Sequence, residues 1–173
     1  MKDRIRSIRI EPLNKNHKRK DFICGKPELD NYLQRFARQN DRKNIAKCFV
    51  AVDGDVVLAY YTLSSSSVEF EAVPENLSKQ LPHYPVPAAL IGKLAVDQRT
   101  AGLRLGEKCL IDALQRTVSV ADDMAIKVLL VDALDDNARA FYLHYGFIEL
   151  PGQARKLFLP IETIRASLEA INN

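Results

Sequence analysis

The sequence contains few of the residues that build metal sites or disulfide frameworks, and it has no long apolar run. It has no tryptophan, three histidines and three cysteines (Cys24, Cys48 and Cys109) at unrelated spacings. No CxxC pair or His/Cys cluster is present, so we expect no metal site and read the cysteines as reduced, packed thiols. No run of about 18 apolar residues exists, which excludes a membrane-spanning helix. The charged N-terminus has no secretory h-region, and we expect a cytoplasmic protein.

Common nucleotide-binding and hydrolase motifs are also missing. The chain has no GxxxxGK[ST] string, no GxGxxG and no GxSxG, so an ordinary NTP-binding loop, a dinucleotide fingerprint and a serine-hydrolase elbow are not indicated. What is present is ordinary for a soluble protein, with 47% apolar and 27% charged residues in a 173-residue chain. That size, without a Pro/Gly/Ser-rich linker, predicts one domain over residues 1–173.

The small net charge of +3 conceals an uneven distribution along the chain. Residues 1–47 hold 14 Lys/Arg and 6 Asp/Glu, a charge of +8, and the other 126 residues carry −5. Such asymmetry raises the odds of a polyanionic partner, meaning nucleic acid or a phosphate-rich ligand, although a solvated face plus a tail would give the same charge pattern. Within the basic part, Arg35, Arg38 and Arg42 recur at helical spacing on one predicted face.

Hydrophobic periodicity and turn residues predict a mixed α/β domain in the order β, α, β-hairpin, β, α, β, α, β, β, α. The Asp53-Gly54 pair between two apolar runs is a strong hairpin signal. In the first helix, Leu29, Tyr32, Leu33, Phe36 and Ala37 form the predicted inner stripe. The predicted strands are Ile5–Ile10 ending before Pro12, Cys48–Val52, Val56–Ser64, Ala88–Val96, Lys127–Ala133, Phe147–Leu150 and Lys156–Leu159. The predicted helices are Lys26–Arg42, Glu107–Ala121, Asn137–Tyr145 and Pro160–Ile171, and Glu71–Pro87 is predicted to be irregular except for a short helix between Glu75 and Leu81.

Two segments are candidates for chemistry. In the first, a buried strand leads into a loop with Gly102 and Gly106 and then a helix, an arrangement whose N–H groups can hold a phosphate. An ordinary strand–helix turn would use the same glycines. In the second, Tyr142 lies on a helical stripe with Ala138, Phe141 and Tyr145, which fits core packing as well as a catalytic role.

Seven stretches of the chain form a pattern when they are taken together. They are Phe22–Leu33 (FICGKPELDNYL), Phe49–Val50, Ala59–Ser64 (AYYTLS), Tyr84–Asp97 (YPVPAALIGKLAVD), Leu105–Leu114 (LGEKCLIDAL), Val131–Ala133 (VDA) and Ala138–Phe147 (ARAFYLHYGF). This pattern resembles the GCN5-related N-acetyltransferase superfamily and, more narrowly, the acetyltransferase toxins of bacterial toxin–antitoxin pairs. The resemblance extends over roughly residues 20–150, and the CG…LD.YL opening, LAVD and AxxFYxxxGF are its more specific parts.

The resemblance implies a mostly antiparallel mixed sheet with flanking helices and a central splayed pair of parallel strands, Ala88–Val96 and Lys127–Ala133, with acetyl-CoA as co-substrate between them. Backbone groups of Leu94, Ala95 and Val96 would pair with the pantetheine arm, and Asn137 would touch the cofactor. In the family's Gln/Arg-x-x-Gly-x-Gly/Ala loop, Ala101 stands at the Gln/Arg position and Arg104 at the middle glycine. The register Arg99-x-x-Gly102 fits LAVD less well. The pyrophosphate would bind to Ala101, Gly102, Leu103, Arg104, Leu105 and Gly106.

For catalysis the resemblance implies that Tyr142, with Tyr145 as the alternative, is the general acid towards the leaving thiolate. The acceptor in toxin-like members is the α-amino group of aminoacyl-tRNA, whose acetylation blocks translation. Arg35, Arg38, Arg42 and Lys43, joined by Lys18, Arg19 and Lys20, would follow the tRNA backbone. An antitoxin of the ribbon-helix-helix kind and a homodimer are implied. Alternatives are acetylation of a protein or small amine, and a binding module that has lost transfer activity.

Overall fold

A computed structural model describes residues 7–83 and 85–173. Its strands form one seven-stranded sheet in the order β1-β2-β3-β4-β5-β7-β6. Four neighbouring pairs, β1–β2, β2–β3, β5–β7 and β6–β7, run antiparallel, and β4–β5 is parallel. The mixed, mostly antiparallel sheet is therefore confirmed. The strands are β1 (Arg9–Pro12), β2 (Lys47–Asp53), β3 (Val56–Val68), β4 (Val86–Val96), β5 (Val128–Asp132), β6 (Ile148–Leu150) and β7 (Gln153–Pro160).

Helices flank these strands in the predicted order. No helix within the described residues is both long enough and apolar enough to cross a membrane. The first helix, α1, has three consecutive parts: an α-helical Pro27–Asn31, a π-helical Tyr32–Phe36 and an α-helical Ala37–Arg42. The others are α2 (Glu75–Ser78), α3 (Leu105–Ala121), α4 (Asp136–His144) and α5 (Ile161–Asn172), with 3₁₀ turns at Phe70–Ala72 and Gln98–Thr100.

The described chain divides into two compact units. The first contains residues 7–64 and 92–113, and the second contains 65–91 and 114–173. The prediction of a single acetyltransferase domain over residues 1–173 stays a prediction.

The first unit is built on the β2–β3 hairpin, covered by α1. Asp53 pairs with Val56 across the tight turn, where Gly54 has the positive φ of 61° that a short hairpin requires. Apolar side chains of the hairpin and of α1 share one core with Ala95 of β4. The core residues are Leu13, Phe22, Leu29, Leu33, Ala37, Cys48, Val50, Val52, Val57, Tyr60 and Ala95.

The second unit holds the parallel strand pair. Ala88 pairs with Val128 and the register continues to Ile91 with Val131. Strand β5 then pairs antiparallel with β7, and its four residues Val128–Val131 are all buried. A continuous apolar run is what a strand covered on both faces requires.

Two prolines correct the predicted strand limits. Pro12 lies inside β1, opposite Phe49, although the strand was expected to end before it. β1 is the first strand in the sheet order, so a residue without an N–H can sit at its outer edge. Pro87 belongs to β4 rather than to an irregular segment, because its carbonyl still accepts a hydrogen bond from Lys127 N–H at 2.9 Å. Ile5 lies outside the described residues.

Helix α1 corrects the predicted inner stripe. Leu29, Leu33 and Ala37 are buried as expected, but Phe36 is 46% exposed. The Ala37 N–H donates to the carbonyl of Tyr32, five residues back, and such an i→i+5 bond adds a residue to the turn. The added residue turns Phe36 off the core-facing stripe. Spacing alone cannot reveal this, because a π segment has no strong sequence signal.

Candidate active site and nucleic-acid interface

The strand–turn–helix segment predicted to bind phosphate contains a 3₁₀ turn followed by two residues with positive φ angles. After β4 the chain makes the Gln98–Thr100 turn, and then Gly102 and Arg104 both take positive φ values, 84° and 57°. Arg104, which stands at the position of the middle glycine in the resembling family's loop, thus adopts a left-handed conformation that favours glycine. For a residue with a Cβ this conformation costs about 1–2 kcal/mol. Strain of this kind is held where the surrounding structure requires it, commonly at binding sites.

Within this loop, some backbone N–H groups form the hydrogen bonds of the turn, and others belong to the first turn of helix α3. The Ala101 N–H donates to Gln98 and the Leu103 N–H to Thr100, at 3.3 and 3.1 Å between nitrogen and oxygen. Leu105 and Gly106 are the first residues of α3. The first N–H groups of an α-helix have no intrahelical acceptor, and the helix dipole adds partial positive charge there. The helix N-terminus therefore has the donors that a pyrophosphate needs.

Arg104 adds a full charge at the same place. Its side chain is 76% exposed, and its guanidinium lies 2.5 Å from the Glu107 carboxylate one turn along the helix. An anion at the helix start would compete with an exposed ion pair, which is worth at most about 1 kcal/mol.

Asp97 holds the loop in place through hydrogen bonds to its carboxylate. Its carboxylate, 1% exposed, accepts hydrogen bonds from the Arg99 N–H, from the Arg99 guanidinium and from the Ile23 N–H. Burial raises the pKa of Asp97, but these hydrogen bonds outweigh that effect and hold the pKa below its ordinary value. The Arg99 guanidinium donates two hydrogen bonds to Asp97, so its charge stabilises the loop.

The same anchor joins the loop to the segment that leads into α1. Gln98 donates its N–H to the Ile23 carbonyl at 2.8 Å. Gly25, at φ +92°, lies so close to the Gln98 side chain that an added Cβ would be 2.8 Å from Nε2. The CG and LAVD motifs, 70 residues apart in sequence, are therefore in contact. Asp97 is a site residue that the residue-by-residue analysis missed, although LAVD itself was the available signal.

Leu94, Ala95 and Val96 form the end of β4 directly before this anchor. Ala95 is buried and its two neighbours are half-buried. Upstream, the Lys93 N–H donates to Thr62 Oγ1 at 3.1 Å, a side chain that would also lie 3.2 Å from a Cβ at Gly92. The structure thus keeps Leu94–Val96 in the same unit as the loop 101–106.

Tyr142 and Asn137 lie in α4 of the second unit. Asp135 caps this helix by accepting from the Ala138 N–H at 2.9 Å, and Gly146 follows its end at φ 91°.

Tyr142 is 4% exposed. Its ring meets Phe141 and Phe147 edge-on at centroid distances of 5.2 and 5.3 Å. Asn137 is exposed at the second helical position. The ring contacts fix the direction of the Tyr142 side chain.

The four residues predicted to bind tRNA are brought together. Arg35, Arg38, Arg42 and Lys43 line one cavity of about 550 Å³ at α1, together with Arg19, which was also expected on this surface. Two glutamines that the sequence did not point to, Gln34 and Gln39, complete the lining. Arg19 is held there by donating to the Leu33 carbonyl at 3.1 Å. Burial, with a contribution from Arg38, lowers the pKa of Arg19. The lining residues are Arg19, Gln34, Arg35, Arg38, Gln39, Arg42 and Lys43.

This cavity has the chemistry of an anion site. Guanidinium groups present planar, two-pronged donors that match phosphate oxygens. Lys18 and Lys20, also proposed for this surface, are exposed but do not line the cavity.

The thiols are not part of either site. Cys48 and Cys109 are buried, and burial raises the pKa of Cys109 to about 12 and that of Cys24 to about 11. Within the described residues no group of three or more His, Cys, Asp or Glu side chains could hold a metal ion.

Comparison with known proteins places the chain among toxins. No protein-family model matches it. It is 36% identical to the probable toxin TacT of Sinorhizobium fredii (strain NBRC 101917 / NGR234) over 91% of this chain and 93% of that protein. It is 38% identical to the tRNA-acetylating toxin of Mycobacterium tuberculosis (strain ATCC 25618 / H37Rv), over 84% and 87%.

Solved structures agree. A tyrosine-to-phenylalanine mutant of KacT superposes with a TM-score of 0.89 at 28% identity, covering 93% of this chain and 99% of that one. AtaT complexed with acetyl-methionyl-tRNAfMet gives a TM-score of 0.87 at 28% identity, covering 96% and 99%. AtaTR bound with acetyl-CoA gives 0.81 at 26% identity, covering 94% and 99%. The chain belongs to the GCN5-related N-acetyltransferase toxins of toxin–antitoxin systems.

Proposed function

We propose that this chain transfers the acetyl group of acetyl-CoA to the α-amino group of aminoacyl-tRNA and so blocks translation. The observation that carries the proposal is the 38% identity, over 84% of the chain, to a tRNA-acetylating toxin. AtaT, which was solved with acetyl-methionyl-tRNAfMet, supports the same acceptor. The arginine-lined cavity on α1 provides the polyanion surface that such an acceptor requires.

The acetyl-CoA pyrophosphate is proposed to bind where α3 begins. Gly102, Leu105 and Gly106 offer backbone donors, and Arg104 offers a guanidinium. Ala101 and Leu103 contribute by holding the turn, since their N–H groups bond within it. The backbone of Leu94, Ala95 and Val96 is proposed to pair with the pantetheine arm as an added strand would, and Asn137 is proposed to touch the cofactor. The solved AtaTR complex with acetyl-CoA supports this co-substrate.

Tyr142 is proposed as the general acid. In the transfer, the α-amine nitrogen bonds to the acetyl carbon while the C–S bond breaks, and Tyr142 donates its hydroxyl proton to the departing thiolate. The amine releases its own proton to water. Thiol and phenol pKa values, about 8.5 and 10, are close enough for this exchange. Tyr145, the C-cap of the same helix, is the alternative donor.

The tRNA backbone is proposed to lie on Arg35, Arg38, Arg42 and Lys43, with Arg19 at the cavity wall. Contacts to phosphate position a nucleic acid without reading its sequence.

The acceptor is tested by incubating the protein with labelled acetyl-CoA and a panel of charged tRNAs, with peptides and polyamines as alternative acceptors. We expect labelled N-acetylaminoacyl-tRNA. Transfer to a peptide or polyamine, with none to any charged tRNA, would show that aminoacyl-tRNA is not the acceptor. The absence of both acetyl transfer and acetyl-CoA binding would favour a binding module.

The tRNA surface is tested by salt dependence. Replacing Arg35, Arg38 and Arg42 by Gln should weaken tRNA binding and flatten the log–log salt slope by roughly one per lost contact. The control replaces Lys79, Arg155 and Arg165, three cations of the second unit, by Gln and loses the same charge. Equal slopes in both triple variants would assign the cavity to solvation.

We further propose an antitoxin partner of the ribbon-helix-helix kind, a homodimer and a cytoplasmic location. AtaT is solved with the C-terminus of the antitoxin AtaR, and the KacTA complex is solved with DNA, which supports a protein partner. Light scattering of the isolated chain tests the dimer, and the reading frame next to the gene tests the antitoxin type.

A further inference from the structure

An aromatic and cationic face of the first unit is not used by the proposed sites. It begins with the π segment of α1, which turns Phe36 outward to 46% exposure. Tyr32 precedes Phe36 by four residues, and side chains at that spacing are neighbours on a helix. An exposed phenylalanine beside a second aromatic residue, on the helix that carries the arginines, provides a ring face on which a ligand can stack.

Tyr32 is fixed in position by its surroundings. Its ring stacks over Tyr60 at a centroid distance of 6.3 Å and an interplanar angle of 15°. The hydroxyl of Tyr60 donates to the Leu29 carbonyl at 2.7 Å, and Asn40 Nδ2 donates to the hydroxyl of Tyr32 at 3.3 Å. Tyr32 therefore does not rotate freely, and its half-buried ring has a fixed position on this face.

Lys93 provides the cation. Its Nζ lies 4.2 Å from the centroid of the Tyr32 ring. Among the residues that the structure describes, no carboxylate forms an ion pair with this half-buried ammonium. Lys93 stands in β4 immediately before Leu94–Val96, the residues proposed for the pantetheine arm. An ammonium without a carboxylate partner attracts an anionic ligand.

The ligand that matches these groups is a single-stranded nucleotide. Unpaired bases stack on aromatic side chains, and an ammonium meets the adjoining phosphate. A charged tRNA carries its amino acid on an unpaired 3′ end, and the α-amine must reach the thioester beside the pantetheine strand. An acidic peptide would match Lys93 but would leave Phe36 without a stacking partner.

We propose that Tyr32, Phe36 and Lys93 form the subsite for the unpaired 3′-terminal nucleotides of the charged tRNA, with Phe36 stacking on a base and Lys93 contacting a phosphate. This inference rests on the proposed function, because it assigns part of the same substrate to a separate surface. The arginine cavity would hold the duplex, and this face would guide the end that carries the amine.

The test compares Phe36→Leu, Phe36→Trp and Lys93→Met with wild type, using steady-state kinetics on charged tRNA and titration with the uncharged trinucleotide CCA. Phe36→Leu should raise the KM for charged tRNA by about 5- to 150-fold, as expected for loss of one base–aromatic stack, and weaken CCA binding in parallel. Phe36→Trp should restore both. Lys93→Met should raise this KM by about 2- to 5-fold. The KM for acetyl-CoA should not change with Phe36.

The control is Val120→Ala, which removes part of a 43% exposed apolar side chain on α3 and should change nothing. Unchanged KM and CCA affinity in Phe36→Leu, with wild-type acetylation of charged tRNA, would overturn the subsite and leave the proposed function standing. Loss of antitoxin binding alone would also overturn it, by giving the face a protein partner. Failure of wild type to acetylate any charged tRNA would instead remove the proposed function.

Discussion

Replacing the buried Asp97 with Asn tests whether one carboxylate holds the phosphate loop against the segment that leads into α1. In the wild type, Oδ1 accepts from the Arg99 N–H and Nε at 2.8 and 2.9 Å, and Oδ2 accepts from the Ile23 N–H and Arg99 Nη2 at 3.1 and 2.9 Å. An Asn can place its oxygen at only one of these two positions. The side-chain NH₂ group of Asn then occupies the other position, where it faces N–H donors. In either orientation one backbone N–H, that of Ile23 or that of Arg99, loses its acceptor.

The magnitude follows from this count. A hydrogen bond to a charged group contributes about 1.5–3 kcal/mol. One such backbone bond is lost and the other is weakened by loss of the charge, so Asp97→Asn should lower the free energy of unfolding by about 2–4 kcal/mol. The Arg99 side chain, which is 50% exposed, adds little to this loss because solvent screens its charge. In a protein of this length the melting temperature should fall by roughly 4–16 °C.

Urea unfolding at several pH values measures the effect, with Asp122→Asn as the matched control. Asp122 also pairs with an arginine, Arg165 at 2.9 Å, but its side chain is 60% exposed, so its loss should cost at most about 1 kcal/mol.

The folded-state pKa of Asp97 is lowered, so its stabilisation is present above about pH 4 and is lost as the pH falls through the folded pKa. The gap between wild type and Asp97→Asn should therefore narrow below about pH 4. An Asp97→Asn variant no less stable than Asp122→Asn at pH 7 would refute the anchor.

Three further outcomes follow from the loop and from α4. Gly25→Ala should destabilise the protein by about 1–2 kcal/mol, because its φ of +92° opposes a Cβ and the Gln98 side-chain amide 2.8 Å away has to move aside. Gly54→Ala, at φ +61° with open space, should cost about 1 kcal/mol in the same unfolding assay. Equal losses would mean that the contact with Gln98 is unimportant. Arg104→Gly should change the free energy of unfolding by less than about 1 kcal/mol, because relief of the strained φ of 57° offsets the greater freedom of glycine in the unfolded chain. Calorimetry should show weaker acetyl-CoA binding by this variant. Unaltered affinity would contradict a role for the Arg104 charge. Tyr142→Phe should keep the melting temperature and acetyl-CoA affinity but lower kcat by about 10²–10⁴-fold in the acetylation assay, and wild-type turnover would exclude it as the acid.

Much of the fold was accessible from local patterns, because those patterns report burial and turn geometry. The inner stripe of α3, Leu110, Ala113, Leu114 and Thr117, is buried as helical spacing predicts. The Asp-Gly turn fixed the β2–β3 hairpin, and an acidic cap and a glycine bound α4. Errors arose where a local rule was overridden, as at Pro12 and Pro87, which both lie in strands even though their nitrogens cannot donate.

The candidate site divides in the same way. The residue types were readable from the amino-acid sequence: three arginines on one helical face, two loop glycines, an FY pair in a capped helix, and a +8 segment joined to a −5 remainder. Which of these residues come into contact depends on the folded chain. Gly25 and Gln98 are in contact across more than 70 positions, the buried Asp97 carboxylate joins two motifs, and a π turn exposes Phe36. Periodicity describes neighbours within one element, whereas these contacts depend on chain segments that are far apart in sequence and on a single added residue in a helical turn.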